Sequence, residues 1–121
     1  MIRLALALCL LAAPALADTT IAPTQRTSVS VNGTITTGNT FQSIMAADAN
    51  RTGCVFQNTS THTMYVYFGP TASATTSNSL QVAANGGLFY CSAGQTPVAL
   101  TDNVAITTST TGDTFVGFYQ H

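Results

Sequence analysis

The chain has 121 residues, of which 6% are charged, and its formal net charge is −1. This length is that of one small domain. The scarcity of basic residues excludes nucleic-acid binding, because no basic patch can neutralise phosphates, and the lack of Lys excludes Schiff-base and P-loop chemistry.

Residues 1–17 have the pattern of a secretory signal peptide. Arg3 supplies a positive charge, residues 4–13 are an uninterrupted apolar run, and residues 15–17 have the small-residue pattern of a cleavage site. The apolar run has about half the length that a membrane-spanning helix needs. We expect export, with Asp18 as the first mature residue; the alternative is an apolar N-terminal arm that the protein retains.

The sequence that follows is divided into short segments typical of strands. Residues 18–26 predict an extended N-terminal arm, because Pro23 opposes helix, and the folded domain is expected to cover residues 27–121. The pair Asn32-Gly33 predicts a hairpin within residues 27–37. A two-residue loop would place Val29 opposite Thr36, and a three-residue loop opposite Ile35; we favour the second, which pairs apolar residues on one face. Residues 40–47 are compatible with a strand or a short helical turn. Further strands are predicted at 52–58, 62–68, 80–84, 88–91, 104–108 and 114–119, with a brief pairing at 97–100.

These segments predict an all-β fold. About seven to nine short strands at roughly ten-residue spacing, without a helical period, indicate a single antiparallel β-sandwich. Jelly-roll and immunoglobulin-like topologies both remain open at this point. Abundant Thr and Val favour pleated strands, and a hydrophobic fraction of 45% argues against disorder.

The cysteines indicate a disulfide. Cys9 lies in the predicted leader, which leaves Cys54 and Cys91 in the domain. An even number of cysteines in an exported chain predicts that they are paired. Two buried free thiols are the alternative, since Cys is a common core residue.

The chemistry-bearing residues predict a protein without enzymatic activity, metal or cofactor. His62 and His121 are the two histidines, and no G-x-S-x-G motif accompanies them. The Asp residues stand at turns or termini, where Asp is favoured for local hydrogen bonding. They give no sign of the facing carboxyl pair that glycoside hydrolysis needs. Two distant histidines and two cysteines do not form a metal-ligand cluster.

Tyr65 and Tyr67 form a candidate contact surface. They alternate with Met64, Val66 and Phe68 along the clearest strand, so the two tyrosines lie on the opposite face of the sheet. An outward aromatic face suits contact with another subunit or with sugar rings. Simple coverage of both sheet faces is the alternative.

Several segments in residues 50–121 support a wider comparison. They are RTGCVFQNTS at 51–60, MYVYFG at 64–69, Ala74-Thr75, SNSL at 77–80 and the Gly-rich turn at 85–87. Together they resemble a group of small β-sandwich proteins found in tailed phages, prophages and proteobacterial genomes. The resemblance implies a virion accessory protein (decoration, cement or fibre) that associates with itself or with other virion or surface proteins.

The leader suggests a second interpretation. An exported bacterial β-sandwich module would bind a glycan or another surface, and would lie in the periplasm or outside the cell. A phage-derived protein would instead lie on the virion surface. In neither case is a stable membrane span expected, because the apolar run is too short.

Overall fold

The structure is a computed structural model that describes residues 25–92 and 100–121. In these ranges the chain forms nine strands: β1 (Ser28–Ser30), β2 (Gly33–Thr34), β3 (Gln42–Met45), β4 (Gly53–Asn58), β5 (Met64–Phe68), β6 (Leu80–Val82), β7 (Gly87–Ser92), β8 (Val104–Thr107) and β9 (Thr114–Gln120). The helical segments described are two short 3₁₀ turns, Thr71–Ser73 and Thr76–Asn78. The predicted all-β class is confirmed.

The strands form two antiparallel sheets that pack face to face. Sheet I has the order β1-β9-β4-β7, and β2 continues β1 along β9. Sheet II has the order β3-β8-β5-β6. Successive strands alternate between the sheets except at β1–β2 and β5–β6. This is the jelly-roll arrangement; in an immunoglobulin fold the first two strands lie in the same sheet as neighbours.

The core lies between the inner faces of the two sheets. Its fully buried side chains are drawn from both, and include Ile35, Phe56, Met64, Val66, Val104 and Ile106. Along β4 the pattern alternates, with Cys54, Phe56 and Asn58 buried and Val55 and Gln57 half-buried on the outer face. The strict alternation follows from the two-residue period of a strand.

The predicted hairpin at Asn32-Gly33 is wrong. Val29 pairs with Tyr119, and β1 and β2 run one after the other along the same edge of β9. Between them the Asn32 side chain accepts a hydrogen bond from the Gly117 N–H at 3.2 Å, which replaces ladder pairing. Gly33 serves close packing: a Cβ there would lie 3.2 Å from the ring of Phe115. Both β1 and β2 therefore pair with the same long edge of β9.

Residues 40–47, which the sequence leaves ambiguous, contain strand β3. The predicted leader at 1–17, most of the predicted arm at 18–26 and most of the predicted pairing at 97–100 lie outside the described residues. In the described ranges no helix has the length and apolar character needed to cross a membrane.

Candidate interaction surfaces

The outer face of sheet I carries a contiguous set of apolar side chains, here called the apolar face. Its members come from three adjacent strands: Val55, Leu88, Tyr90, Val116 and Phe118. The strand register places Tyr90, Val55 and Phe118 in one row across the sheet. A second row consists of Leu88, Gln57 and Val116.

These side chains are unusually exposed for their size. Leu88 is 52% exposed, Tyr90 58%, Phe118 48% and Val116 36%. A large aromatic side chain has about 150–250 Å² of surface, so the two rings alone expose roughly 200 Å². With the aliphatic neighbours, the apolar face reaches the size range of the largest apolar patches on soluble monomers, which are often functional.

The sequence contains a signal for this face. Residues 88–91 and 115–119 are apolar or aromatic at nearly every position, whereas a strand with one solvated face alternates apolar and polar residues. Side chains alternate along residues 115–119, with Val116 and Phe118 opposite the core-facing set. The sequence does not show that the outward residues of β4, β7 and β9 lie side by side, because these strands are distant in the chain.

The outer face of sheet II holds the predicted pair Tyr65 and Tyr67. Both are half-buried and point away from the core residues Met64 and Val66. Across the strand Tyr65 faces Thr107 and Tyr67 faces Ala105. The two rings have different surroundings: Tyr65 lines a surface depression, whereas the Tyr67 ring packs near Gly69. The structure thus separates residues that the sequence pattern treats as equivalent.

His62 and Asp113 form a pair at the edge of that depression. The His62 Nδ1 atom lies 3.1 Å from both carboxylate oxygens of Asp113. The Asp113 side chain is 9% exposed and that of His62 43% exposed. On the other side of the ring, Nε2 lies 3.5 Å from the Thr110 hydroxyl. His62 and Asp113 are 51 positions apart in the sequence, so no local sequence pattern indicates this contact.

The order hydroxyl, imidazole, carboxylate is also that of a hydrolytic triad. Here the hydroxyl–imidazole distance of 3.5 Å exceeds the reach of about 2.6–3.2 Å expected of a nucleophile and its base. The Thr110 N–H donates to the Thr108 hydroxyl and is not free to stabilise an oxyanion. In the described residues no group of three or more His, Cys, Asp or Glu is arranged to hold a metal ion.

The predicted disulfide between Cys54 and Cys91 is confirmed. The two residues face each other in register on β4 and β7, with Cα atoms 4.9 Å apart. Both are buried on the inner face of sheet I. The bond therefore ties the edge strand that carries Leu88 and Tyr90 to the centre of the sheet.

Arg51 precedes β4 and has a structural role. It is 3% exposed. Its guanidinium donates to the carbonyls of Leu100 at 2.9 Å and Asp102 at 2.8 Å, and also to that of Ala46. It lies 5.4 Å from the centre of the Tyr119 ring.

Burial sets the electrostatics of this guanidinium. Desolvation lowers the pKa of Arg51, and the nearby Asp48 carboxylate acts in the opposite direction. Because Arg stays protonated in proteins, the buried cation serves as a fixed cross-link between the segments at residues 46 and 100–102.

Asn58 links the two sheets beneath the depression. It is fully buried on β4 of sheet I. Its amide donates to the carbonyls of His62 at 2.8 Å, Val82 at 3.2 Å and Ala83 at 3.1 Å, all on the side of sheet II. Its carbonyl accepts from the Ser60 N–H and hydroxyl. The turn that presents His62 is thus held to the core through Asn58.

Comparisons with known proteins identify the fold alone. No family model matches the chain, and no curated protein matches it significantly. A solved structure from Bacillus endospore appendages, a family of disulfide-linked pili, is similar to it with a TM-score of 0.51. The sequence identity is 14%, over 79% of this chain and 84% of that chain. The protein is therefore a small disulfide-bonded jelly-roll β-sandwich with two distinct outer faces.

Proposed function

We propose that the protein is a non-enzymatic structural subunit that works by self-association through the apolar face. The observation that carries the proposal is the row Tyr90, Val55 and Phe118, with two rings about half exposed. A patch of this kind on a soluble domain marks a contact with another macromolecule. Aromatic residues are the commonest energetic centres of such contacts.

A second copy of the chain is the occupant that the charges favour. The apolar face contains no ionisable group other than the Tyr90 phenol, and its second row includes the neutral Gln57. A charged partner would find no complementary group there, whereas two identical neutral faces meet without repulsion. A net charge of −1 adds little long-range repulsion between copies.

The energy of one such contact is enough for weak association. Burying about 200 Å² of aromatic surface on each copy contributes roughly 5 kcal/mol per copy, or about 10 kcal/mol for a two-fold contact. Association costs about 4–15 kcal/mol in lost freedom. One such contact gives a weak pair, and repetition of contacts in a larger assembly would give a stable one.

These features fit a protein that acts outside the cell or in a surface assembly. The disulfide is suited to an oxidising compartment, and the similar solved structure belongs to a surface appendage. Within this class we favour an accessory role on a phage-type virion, as decoration, cement or fibre component. The support for that finer assignment is the sequence resemblance of residues 51–60 and 64–69.

Sedimentation analysis of the purified protein over a range of concentrations tests self-association. The wild-type protein is expected to form a defined oligomer, and Phe118→Ser or Tyr90→Ser to shift it towards monomer. Leu80→Ser is the matched control, because Leu80 is 45% exposed but lies on β6 of sheet II. A monomer at every concentration, or equal effects of Leu80→Ser and Phe118→Ser, would refute the proposal. Copurification with virions from the native host tests the finer assignment.

A further inference from the structure

A polar depression opens on the outer side of sheet II, away from the apolar face. Its volume is about 500 Å³, within the range of small-molecule sites. Its walls come from the turn before β5, from β5 itself and from the end of β8. The lining residues that matter here are Thr61, His62, Thr63, Tyr65, Thr107 and Ser109.

The imidazole of His62 lines this depression and is held in a fixed orientation. Both carboxylate oxygens of Asp113 lie 3.1 Å from the Nδ1 atom of His62 and fix the orientation of the ring. With Nδ1 bound to the carboxylate, Nε2 is the ring nitrogen that remains for a second hydrogen bond. The contact of Nε2 with the Thr110 hydroxyl is long, at 3.5 Å. A ligand hydroxyl can therefore replace it at little cost.

The rest of the lining supplies neutral polar groups beside an aromatic ring. The turn hydroxyls of Thr61 and Thr63 have no hydrogen-bond partner among the described residues. Tyr65 provides a half-buried ring with a phenol. No Lys, Arg, Asp or Glu lines the depression in the described part of the chain. The recognition chemistry suits a ligand that is uncharged, rich in hydroxyls and flat enough on one face to stack.

We infer that this depression binds a neutral saccharide ring, with Tyr65 stacking on its apolar face and His62 Nε2 hydrogen-bonding to one of its hydroxyls. Tyr67 is excluded from the site, although it shares strand and sheet face with Tyr65, because it does not line the depression. The inference does not depend on self-association, since the apolar face belongs to sheet I.

Nuclear magnetic resonance titration of the full-length protein tests the site. The ligands are the methyl glycosides of glucose, galactose, mannose and N-acetylglucosamine. We expect millimolar binding of at least one of them, with shifts concentrated in the amides of residues 61–65 and 107–109. Tyr65→Ala is expected to weaken binding about tenfold, the worth of one aromatic contact. Tyr65→Phe retains the ring and most of the affinity.

Tyr67→Ala is the matched control, because it removes a second half-buried ring from the same face of β5. It is expected to leave the affinity unchanged. Absence of shifts with all four glycosides overturns the inference. Equal weakening by Tyr65→Ala and Tyr67→Ala does so as well, since that result would indicate damage to the sheet. If Tyr65→Ala does not fold, two results still test the inference. Shifts of the wild-type protein outside residues 61–65 and 107–109, or loss of most of the affinity in Tyr65→Phe, overturn it.

Discussion

The structure predicts that Asn58→Asp destabilises the fold strongly, although it changes the size of the side chain very little. It replaces an NH₂ group by an oxygen and leaves the side-chain volume almost unchanged. In the wild-type protein that NH₂ group donates to three carbonyls, those of His62, Val82 and Ala83. A carboxylate cannot donate, so three carbonyls lose their donor and face a buried negative charge.

The magnitude follows from the contacts. The Asn58–Val82 hydrogen bond is buried and the other two are partly buried. A buried acceptor left unsatisfied costs about 1–3 kcal/mol, and breaking a buried polar arrangement around a charge costs about 3–5 kcal/mol. We expect Asn58→Asp to lower the free energy of unfolding by about 4 kcal/mol at pH 7. A domain of this size has about 5–15 kcal/mol in total. Urea denaturation followed by circular dichroism measures the difference.

The pH dependence gives a second readout. Burial next to carbonyl oxygens favours the protonated form of the introduced carboxyl, so its folded-state pKa lies above the unfolded value of about 3.9. The deficit relative to wild type is therefore smallest below about pH 4 and grows as the pH rises through the folded-state pKa. A protonated carboxyl also restores one donor.

Gln57→Glu is the control, because it makes the same chemical change one residue earlier on the outer face of β4. Its amide donates once, to the Gly86 carbonyl at 3.1 Å, and is half-buried. We expect a loss below about 1 kcal/mol. Equal losses for the two variants, or a pH-independent deficit for Asn58→Asp, would refute the reasoning.

Three further predictions concern the cross-links and the two faces. Reduction of the Cys54–Cys91 disulfide, which closes 37 residues, is expected to cost about 4 kcal/mol and lower the melting temperature by about 15–30 °C; an unchanged melt would contradict it. Arg51→Lys is expected to lose about 2–3 kcal/mol in urea denaturation, because one ammonium cannot replace the guanidinium between three carbonyls. Arg26→Lys, at an exposed position, is its neutral control. Phe118→Ser should reduce assembly in sedimentation without changing glycoside affinity.

The strands could be predicted because their information is local. Alternation along β5 and β9 places each side chain correctly, and the cysteines indicate their own pairing. The predicted hairpin at Asn32-Gly33 is wrong because the dipeptide has another role, in packing and hydrogen bonding against β9. Gly33 makes room for the ring of Phe115, and the edge of β9 offers more pairing than a hairpin would. Long-range pairing overrides a local turn signal here.

The candidate sites could be predicted only in part, because they depend on residues that are distant in sequence. Tyr65 was recognisable from its alternation, yet its partners in the depression come from the turn at 61–63 and from β8. Arg51 looks like an ordinary loop residue until Leu100 and Asp102 surround its guanidinium. No periodicity in the sequence encodes such contacts, since they arise from the packing of separate segments.

The two outer faces are chemically opposite, and this difference follows from the strands that build them. Sheet I presents aromatic and aliphatic side chains from three long neighbouring strands, which suits a flat contact that excludes water. Sheet II presents hydroxyls and an imidazole around one ring in a concave surface, which suits a small polar ligand. Because the outer faces of the two sheets lie on opposite sides of the domain, association through the outer face of sheet I would leave the depression of sheet II open. In the assembly that we propose, each copy would display one depression on the outside, where weak single contacts become strong by repetition.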